Sequence, residues 1–207
     1  MTNILRFAGL ALISFLLLTG CGNEPQRLPY LGNVEIKGAD TLYHTVPDIT
    51  LTAQDSQTYR ISTLNNKIIL ADFFFTSCPS ICPKVKKQML RLYDRYKDDA
   101  RVVMISHTID QRHDSVAVLN RYAHNLGVDT DKWKFVTGEK DSIFYLADRY
   151  FVSVIEDPLA PGGFGRGGRI ILVDKARRVR GFCEGTDPES VTAFFDTVDK
   201  LLKDEYQ

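Results

Sequence analysis

The stretch Ile68-Ile69-Leu70-Ala71-Asp72-Phe73-Phe74-Phe75-Thr76-Ser77-Cys78-Pro79-Ser80-Ile81-Cys82-Pro83 decides the fold. Its first half is a near-continuous apolar run, the pattern of a strand over 67–75 that is buried on both faces. Beyond it, from 84 to 97, apolar side chains recur at Val85, Met89, Leu92, Tyr93 and Tyr96 with helical period. The two cysteines therefore stand where a buried strand turns into a helix that begins near Pro83. Their four-residue offset brings both sulfurs to one helix face, within reach of a disulfide or of one shared soft metal ion. The positive end of a helix favours thiolate over thiol, most of all at Cys78, and a thiolate serves both disulfide exchange and ligation of Cu(I). A purely structural disulfide is the plainer alternative, but so local a ring constrains little chain entropy.

Outward from this stretch the chain alternates. Short strands are expected at 34–37, 42–46 and 58–61 before the buried strand. After the first helix come a strand at 101–106, a helix at 115–126 closed by Gly127, a strand at 133–136, a helix at 141–150 and a short strand at 151–155. A Pro/Gly-rich loop fills 157–168. Strands at 169–173 and 179–183 flank a turn and form a hairpin. The last helix is capped by Asp187, carries Pro188 in its first turn, and aligns Val191, Phe194, Phe195, Val198, Leu201 and Leu202 in one stripe. This order predicts an α/β domain: a thioredoxin-like mixed sheet with helices on both faces and an N-terminal β extension. In such sheets working groups gather at the carboxyl ends of parallel strands, where Cys78 and Cys82 fall.

The N-terminus sets the compartment. One cation, Arg6, precedes an uncharged apolar run that is too short for a membrane span, and Leu18-Thr19-Gly20-Cys21 has the form of a lipobox. The expected organisation is a lipoprotein signal peptide at 1–20, a tether at 21–29 beginning with lipid-modified Cys21, and one folded domain at 30–207. Such a protein is anchored in a bacterial cell envelope with its domain facing the periplasm or the exterior. Of the four cysteines, Cys78, Cys82 and Cys183 remain as thiols in an exported domain, and an odd count with two so close favours a redox or metal role over a structural framework. Cys183 reads as a core cysteine, with a third sulfur ligand or a resolving thiol as the alternative. Charge is balanced, at 26 basic and 26 acidic residues, with no basic stripe to track a phosphate backbone. The segment 162–168 has the glycines of a phosphate cradle but neither the lysine nor the hydroxyl, which argues against nucleotide binding.

The segment 73–83 resembles the signature of the Sco/SenC family. The likeness extends to Ser106-His107-Thr108-Ile109-Asp110, to Trp133-Lys134-Phe135 with Thr137-Gly138, to the loop 157–163, to Leu172-Val173-Asp174-Lys175 and to 180–187. The resemblance implies a membrane-tethered thioredoxin-fold protein that binds copper through two sulfurs, here Cys78 and Cys82, and helps to build the copper centre of cytochrome c oxidase. It names as partner the copper-site subunit of that oxidase or another exported thiol protein, and some family members act on thiols instead. One position departs from the pattern. The family expects a histidine in the loop before the strand that starts at Arg169; here Arg166 stands there, and no histidine follows His124. A guanidinium is a permanent cation without a lone pair for a metal. His107, at the same sheet edge as the cysteines, is the candidate substitute ligand. Two readings result: copper delivery and/or thiol exchange in oxidase maturation, or a thiol-disulfide oxidoreductase without copper. A non-catalytic binding module is the third class.

Overall fold

The structure, a computed structural model, describes residues 27–64 and 66–206. The expected signal peptide, Cys21 and the start of the tether lie outside the described residues. The elements are β1 (Val34–Lys37), β2 (Asp40–Tyr43), β3 (Leu51–Ala53), β4 (Thr58–Tyr59), β5 (Ile68–Phe74), α1 (Ile81–Tyr96), β6 (Val102–Thr108), α2 (Val116–Leu126), β7 (Trp133–Thr137), α3 (Lys140–Arg149), β8 (Val154–Glu156), β9 (Phe164–Arg166), β10 (Arg169–Val173), β11 (Val179–Glu184) and α4 (Pro188–Tyr206).

Seven strands form the main sheet in the order β11-β10-β5-β6-β7-β3-β4. β5, β6 and β7 are parallel, while β10, β11, β3 and β4 add antiparallel pairings at the two flanks. This is the thioredoxin-like mixed sheet that the alternation predicts. Every residue of β5 and β6 is buried, which explains the near-continuous apolar run of β5 and the run Val102–Ile105 of β6. On one face α1, α2 and α4 close a core through Val85, Met89, Leu92, Leu119, Val191 and Val198. On the other, α3 contributes Ile143, Leu146 and Ala147 to a second core with Val46 and Tyr59. Met89 and Leu92 are fully buried, and truncating such a side chain costs about 2 to 5 kcal/mol.

Several boundaries differ from expectation, each for a local reason. α1 begins at Ile81, so Cys82 lies inside its first turn, where Pro83 is tolerated because the N–H it lacks has no intrahelical acceptor. The strand expected at 42–46 is Asp40–Tyr43, paired with β1 in a separate hairpin, and Val46 instead enters the core. β3 is too short to show a period, yet it pairs with β7 and extends the sheet. The strand expected at 151–155 starts only at Val154, after Phe151 takes φ 59°. Its partner β9 lies within the glycine-rich loop, and their register sets Val154 opposite Arg166.

The N-terminal segment is fastened to the domain through Arg180. Its guanidinium donates to the carbonyls of Leu28 (2.6 Å) and Pro29 (3.0 Å), and to Asp174 Oδ2 (3.1 Å) and Glu205 Oε1 (3.2 Å). Arg178 and Arg180 also lie over the Tyr30 ring, 4.5 and 4.2 Å from its centroid. Among the described residues no helix is long and apolar enough to cross a membrane.

Candidate functional site

β5 delivers the chain to the carboxyl edge of the sheet, and the turn 75–80 carries it into α1. Asp114 holds that turn in place. It is fully buried, accepts from Thr76 N (3.0 Å) and Thr108 Oγ1 (2.5 Å), and also bonds Thr76 Oγ1, so it ties the turn to the segment that follows β6. Cys78 N donates to Phe75 O at 3.3 Å. Cys78 and Cys82 are disulfide-bonded, with Cα atoms 5.8 Å apart. No acidic residue occupies the first turn of α1, so its positive end acts on the sulfurs unopposed from within the helix. The cystine is nearly covered, Cys78 being 9% and Cys82 6% exposed.

The cover comes from the hairpin β8/β9 and its loop. Gly162 adopts φ +84°, and a Cβ there would sit 2.6 Å from Phe75, so only glycine lets the loop close against the cysteine turn. The next strand brings Arg166 to the cystine: Nη2 donates to Cys82 Sγ at 2.9 Å and Nη1 to Gly167 O at 3.1 Å. Its Nε is shielded from solvent and has no hydrogen-bond partner among the described residues. Burial pulls the guanidinium below its usual range, and the negative charge of Asp72 opposes that effect.

Behind Cys82 lies a carboxyl group. Asp72, on β5, is 4% exposed and bonded to the Ser106 hydroxyl, which in turn accepts from Trp133 Nε1 at 2.8 Å. Burial pushes Asp72 up to about 6, against the opposing pull of the Ser106 hydrogen bond and of the Arg166 charge. Asp72, Ser106, Cys82, Lys86, Tyr122 and Trp133 all line one internal cavity of about 10 Å³, at the lower limit for a single water.

The structure brings Cys78, Cys82 and Arg166 together and leaves the other candidates apart. His107, on the face of β6 opposite Ser106, turns into the core. It stacks on Phe73 (4.7 Å between centroids), lies 5.3 Å from Tyr150, and is buried so that its pKa falls to about 4. Cys183 packs in the core beneath α4, its thiol pushed up to about 12, chiefly by burial. Among the described residues, no group of three or more His, Cys, Asp or Glu side chains could hold a metal ion. The residues around the cystine therefore offer a soft cation two sulfurs and, in the third direction, a permanent positive charge. Asp72 and Asp114 escaped the sequence reading. The signal for Asp72 was present, a single carboxylate in an otherwise apolar buried strand; Asp114 becomes visible only when β6 and the cysteine turn are side by side.

The SCO1/SenC family model matches residues 38–202. A SCO1 protein homolog of Bacillus subtilis (strain 168) is 31% identical over 146 residues, covering 70% of this chain and 69% of the homolog. The fold is similar to that of BsSco, described as a member of the Sco family of cytochrome c oxidase assembly proteins with a disulfide switch. That likeness has TM-score 0.68 and 24% identity, and covers 85% of this chain and 98% of the other. It is similar as well to copper-bound ScoI of Arabidopsis thaliana, with TM-score 0.65 and 20% identity over 77% of this chain and 99% of that one. Because the match spans both the sheet and the turn that carries the cysteine pair, the chain belongs to the SCO1/SenC family.

Proposed function

We propose that this protein acts by thiol-disulfide exchange at Cys78 and Cys82 in the maturation of the cytochrome c oxidase copper centre, reducing acceptor cysteines rather than holding copper between its own sulfurs. The observation that carries this reading is the 2.9 Å contact from Arg166 to Cys82. A cation at that distance favours the thiolate and disfavours a bound metal cation, so it promotes electron transfer through sulfur over ligation. The closed disulfide is one of the two states such a cycle needs. Kinship with a copper-bound ScoI and with a cytochrome c oxidase assembly protein supports the process in which the exchange serves. The lipobox ending at Cys21 supports a lipid tether in a bacterial envelope membrane, with the domain on the outer side.

The test is an anaerobic titration of the reduced full chain with Cu(I) against a competing chelator, beside an assay of disulfide reduction in an exported acceptor peptide. The expected result is turnover of the peptide disulfide without stoichiometric copper retention. Tight one-to-one copper with no reduction would overturn the proposal in favour of delivery.

A further inference from the structure

The hairpin β1/β2 stands apart from the main sheet, and the thiol chemistry makes no use of it. All four residues of β1 and three of the four in β2 are exposed. A two-stranded hairpin by itself is marginal in water, so its free surface calls for a cover. Val34 is 50% and Ile36 79% exposed on one face, and Leu42 is 46% exposed on the other. That second face closes a pocket of about 260 Å³, whose walls include Asn33, Glu35, Tyr43, Thr45 and Arg149. Arg149 is the last residue of α3, and its Nε is shielded from solvent without a hydrogen-bond partner among the described residues. The carboxylate in the wall, Glu35, is paired with Lys37 at 3.3 Å. Arg178 adds a second cation, 5.6 Å from the centre of the Tyr43 ring. The wall is fixed in place. His44 Nε2 donates to Arg149 O at 2.7 Å and its ring packs on Phe151, while Gly32, at φ +97°, permits a close approach to His44 that a Cβ would block.

We propose that this hairpin docks on the lipid bilayer, with Val34 and Ile36 entering the interfacial layer and the Arg149 pocket taking the phosphate of a phospholipid headgroup. The inference rests on the lipid tether proposed above. Apolar side chains beside basic ones hold other amphipathic elements at a membrane interface, because each kind meets its own medium there. The planar fork of a guanidinium matches phosphate oxygens, and the Asn33 amide with the Tyr43 and Thr45 hydroxyls supplies further donors at the same pocket. Chain length argues for the bilayer as occupant. Arg180 holds the carbonyls of Leu28 and Pro29, so eight residue steps (29 minus 21) separate a lipid on Cys21 from a fixed point of the domain. Such a segment spans at most ~28 Å when fully extended. The hairpin begins at Val34, shortly after that point, so the tether keeps it near the bilayer at high effective concentration, where a weak contact is enough. The second contact converts a flexible tether into a fixed orientation of the domain, and so limits which faces it presents to a partner in the same membrane.

The experiment uses the lipid-modified chain, with its disulfide closed, on phosphatidylcholine vesicles. Ala39, exposed at the hairpin turn, is changed to cysteine (Ala39→Cys) and labelled with bimane; Cys183 is buried and takes no label. A nitroxide carried near the lipid headgroups should quench the dye. Arg149→Gln keeps the carbonyl that His44 uses, and Ile36→Ser alters a side chain too exposed to affect folding. Each should lower the ratio of docked to free hairpin at least about tenfold, the low end for a charge-assisted hydrogen bond and for one buried aliphatic side chain. Vesicles of digalactosyl diacylglycerol, equally without net charge but lacking phosphate, should reduce the unsubstituted pocket to the level of Arg149→Gln and cost that variant nothing more. Equal quenching on the two lipids overturns the phosphate role of the pocket. A dye that stays unquenched while the protein sediments with the vesicles overturns docking and leaves the tether intact, the result expected if a protein covers the hairpin instead. A chain that does not sediment with vesicles overturns the tether, and this inference with it.

Discussion

Arg166 Nη2 lies 2.9 Å from Cys82 Sγ, so the second cysteine of the pair, the one inside the helix, receives the positive charge of the loop. The helix terminus acts on both sulfurs, but the guanidinium distinguishes between them. In Arg166→Met, the Cys82 thiol of the reduced protein should ionise about one pH unit or more higher. Thiolate ultraviolet absorbance in a Cys78→Ser background, where Cys82 is the reporting sulfur, checks this. Arg166→His should raise retention of Cu(I) against a chelator at least about tenfold by replacing a cation beside the sulfurs with an imidazole that can ligate. No change in retention would place the β9 side chain away from the sulfurs in solution.

Asp72 and His107 lie on opposite faces of adjacent strands and titrate with opposite consequences for stability. Asp72 is raised from 3.8 to about 6 in the folded protein, so its contribution is greatest below pH 4 and is lost as pH rises through 6. His107 is lowered from 6.5 to about 4, so its contribution is present above pH 6.5 and is lost as pH falls toward 4. Each effect is on the order of 3 kcal/mol over the same window, and the two largely cancel. Urea unfolding of Asp72→Asn should therefore show stability rising with pH between about 4 and 6.5. His107→Leu should show it falling, and the unmodified protein should be nearly flat.

Reactive thiols can be counted. Cys183 is 4% exposed and its thiol is pushed up to about 12, so in the native, reduced protein near pH 8 only Cys78 and Cys82 should react promptly with a maleimide. Cys183 should react only on unfolding. A further prompt thiol in material exported by its host would mean that Cys21 carries no lipid.

Arg180 anchors the first described residues by bonding two of their carbonyls and the fully buried Asp174. Arg180→Met leaves those carbonyls unpaired and Asp174 with Arg178 as its remaining cation. The expected cost is about 3 kcal/mol in urea unfolding, together with proteolytic cleavage near Pro29 at lower protease concentration. An unchanged cleavage pattern would show that the segment is held by the Tyr30 ring contacts alone.

How much of this was legible before the fold differs from element to element. The near-continuous apolar run of β5, the stripe of α1 and the stripe of α4 are strong signals because each is buried against the core. The parallel centre of the sheet follows from them. β3 and β9 carried no such signal: each is three residues long, β3 pairs with the distant β7, and β9 pairs with β8 inside a glycine-rich segment that shows no period. His107 illustrates the same limit. Its place after a parallel strand suggested the sheet edge shared with the cysteines, but the side chain turns into the core, where it stacks on Phe73 and burial keeps it neutral.

The amino-acid order alone determined that two thiols follow an apolar run and open a helical stripe, and that Arg166 is the one side chain longer than phenylalanine in the glycine-rich stretch 162–168. These are local facts, set by spacing and side-chain type. Only the tertiary structure decided which sulfur the guanidinium meets, and that a carboxyl group 10 positions before Cys82 shares its cavity. The reason is physical: hydrogen bonds and charge interactions act over a few ångströms, and that proximity exists only once β5, α1 and β9 have packed.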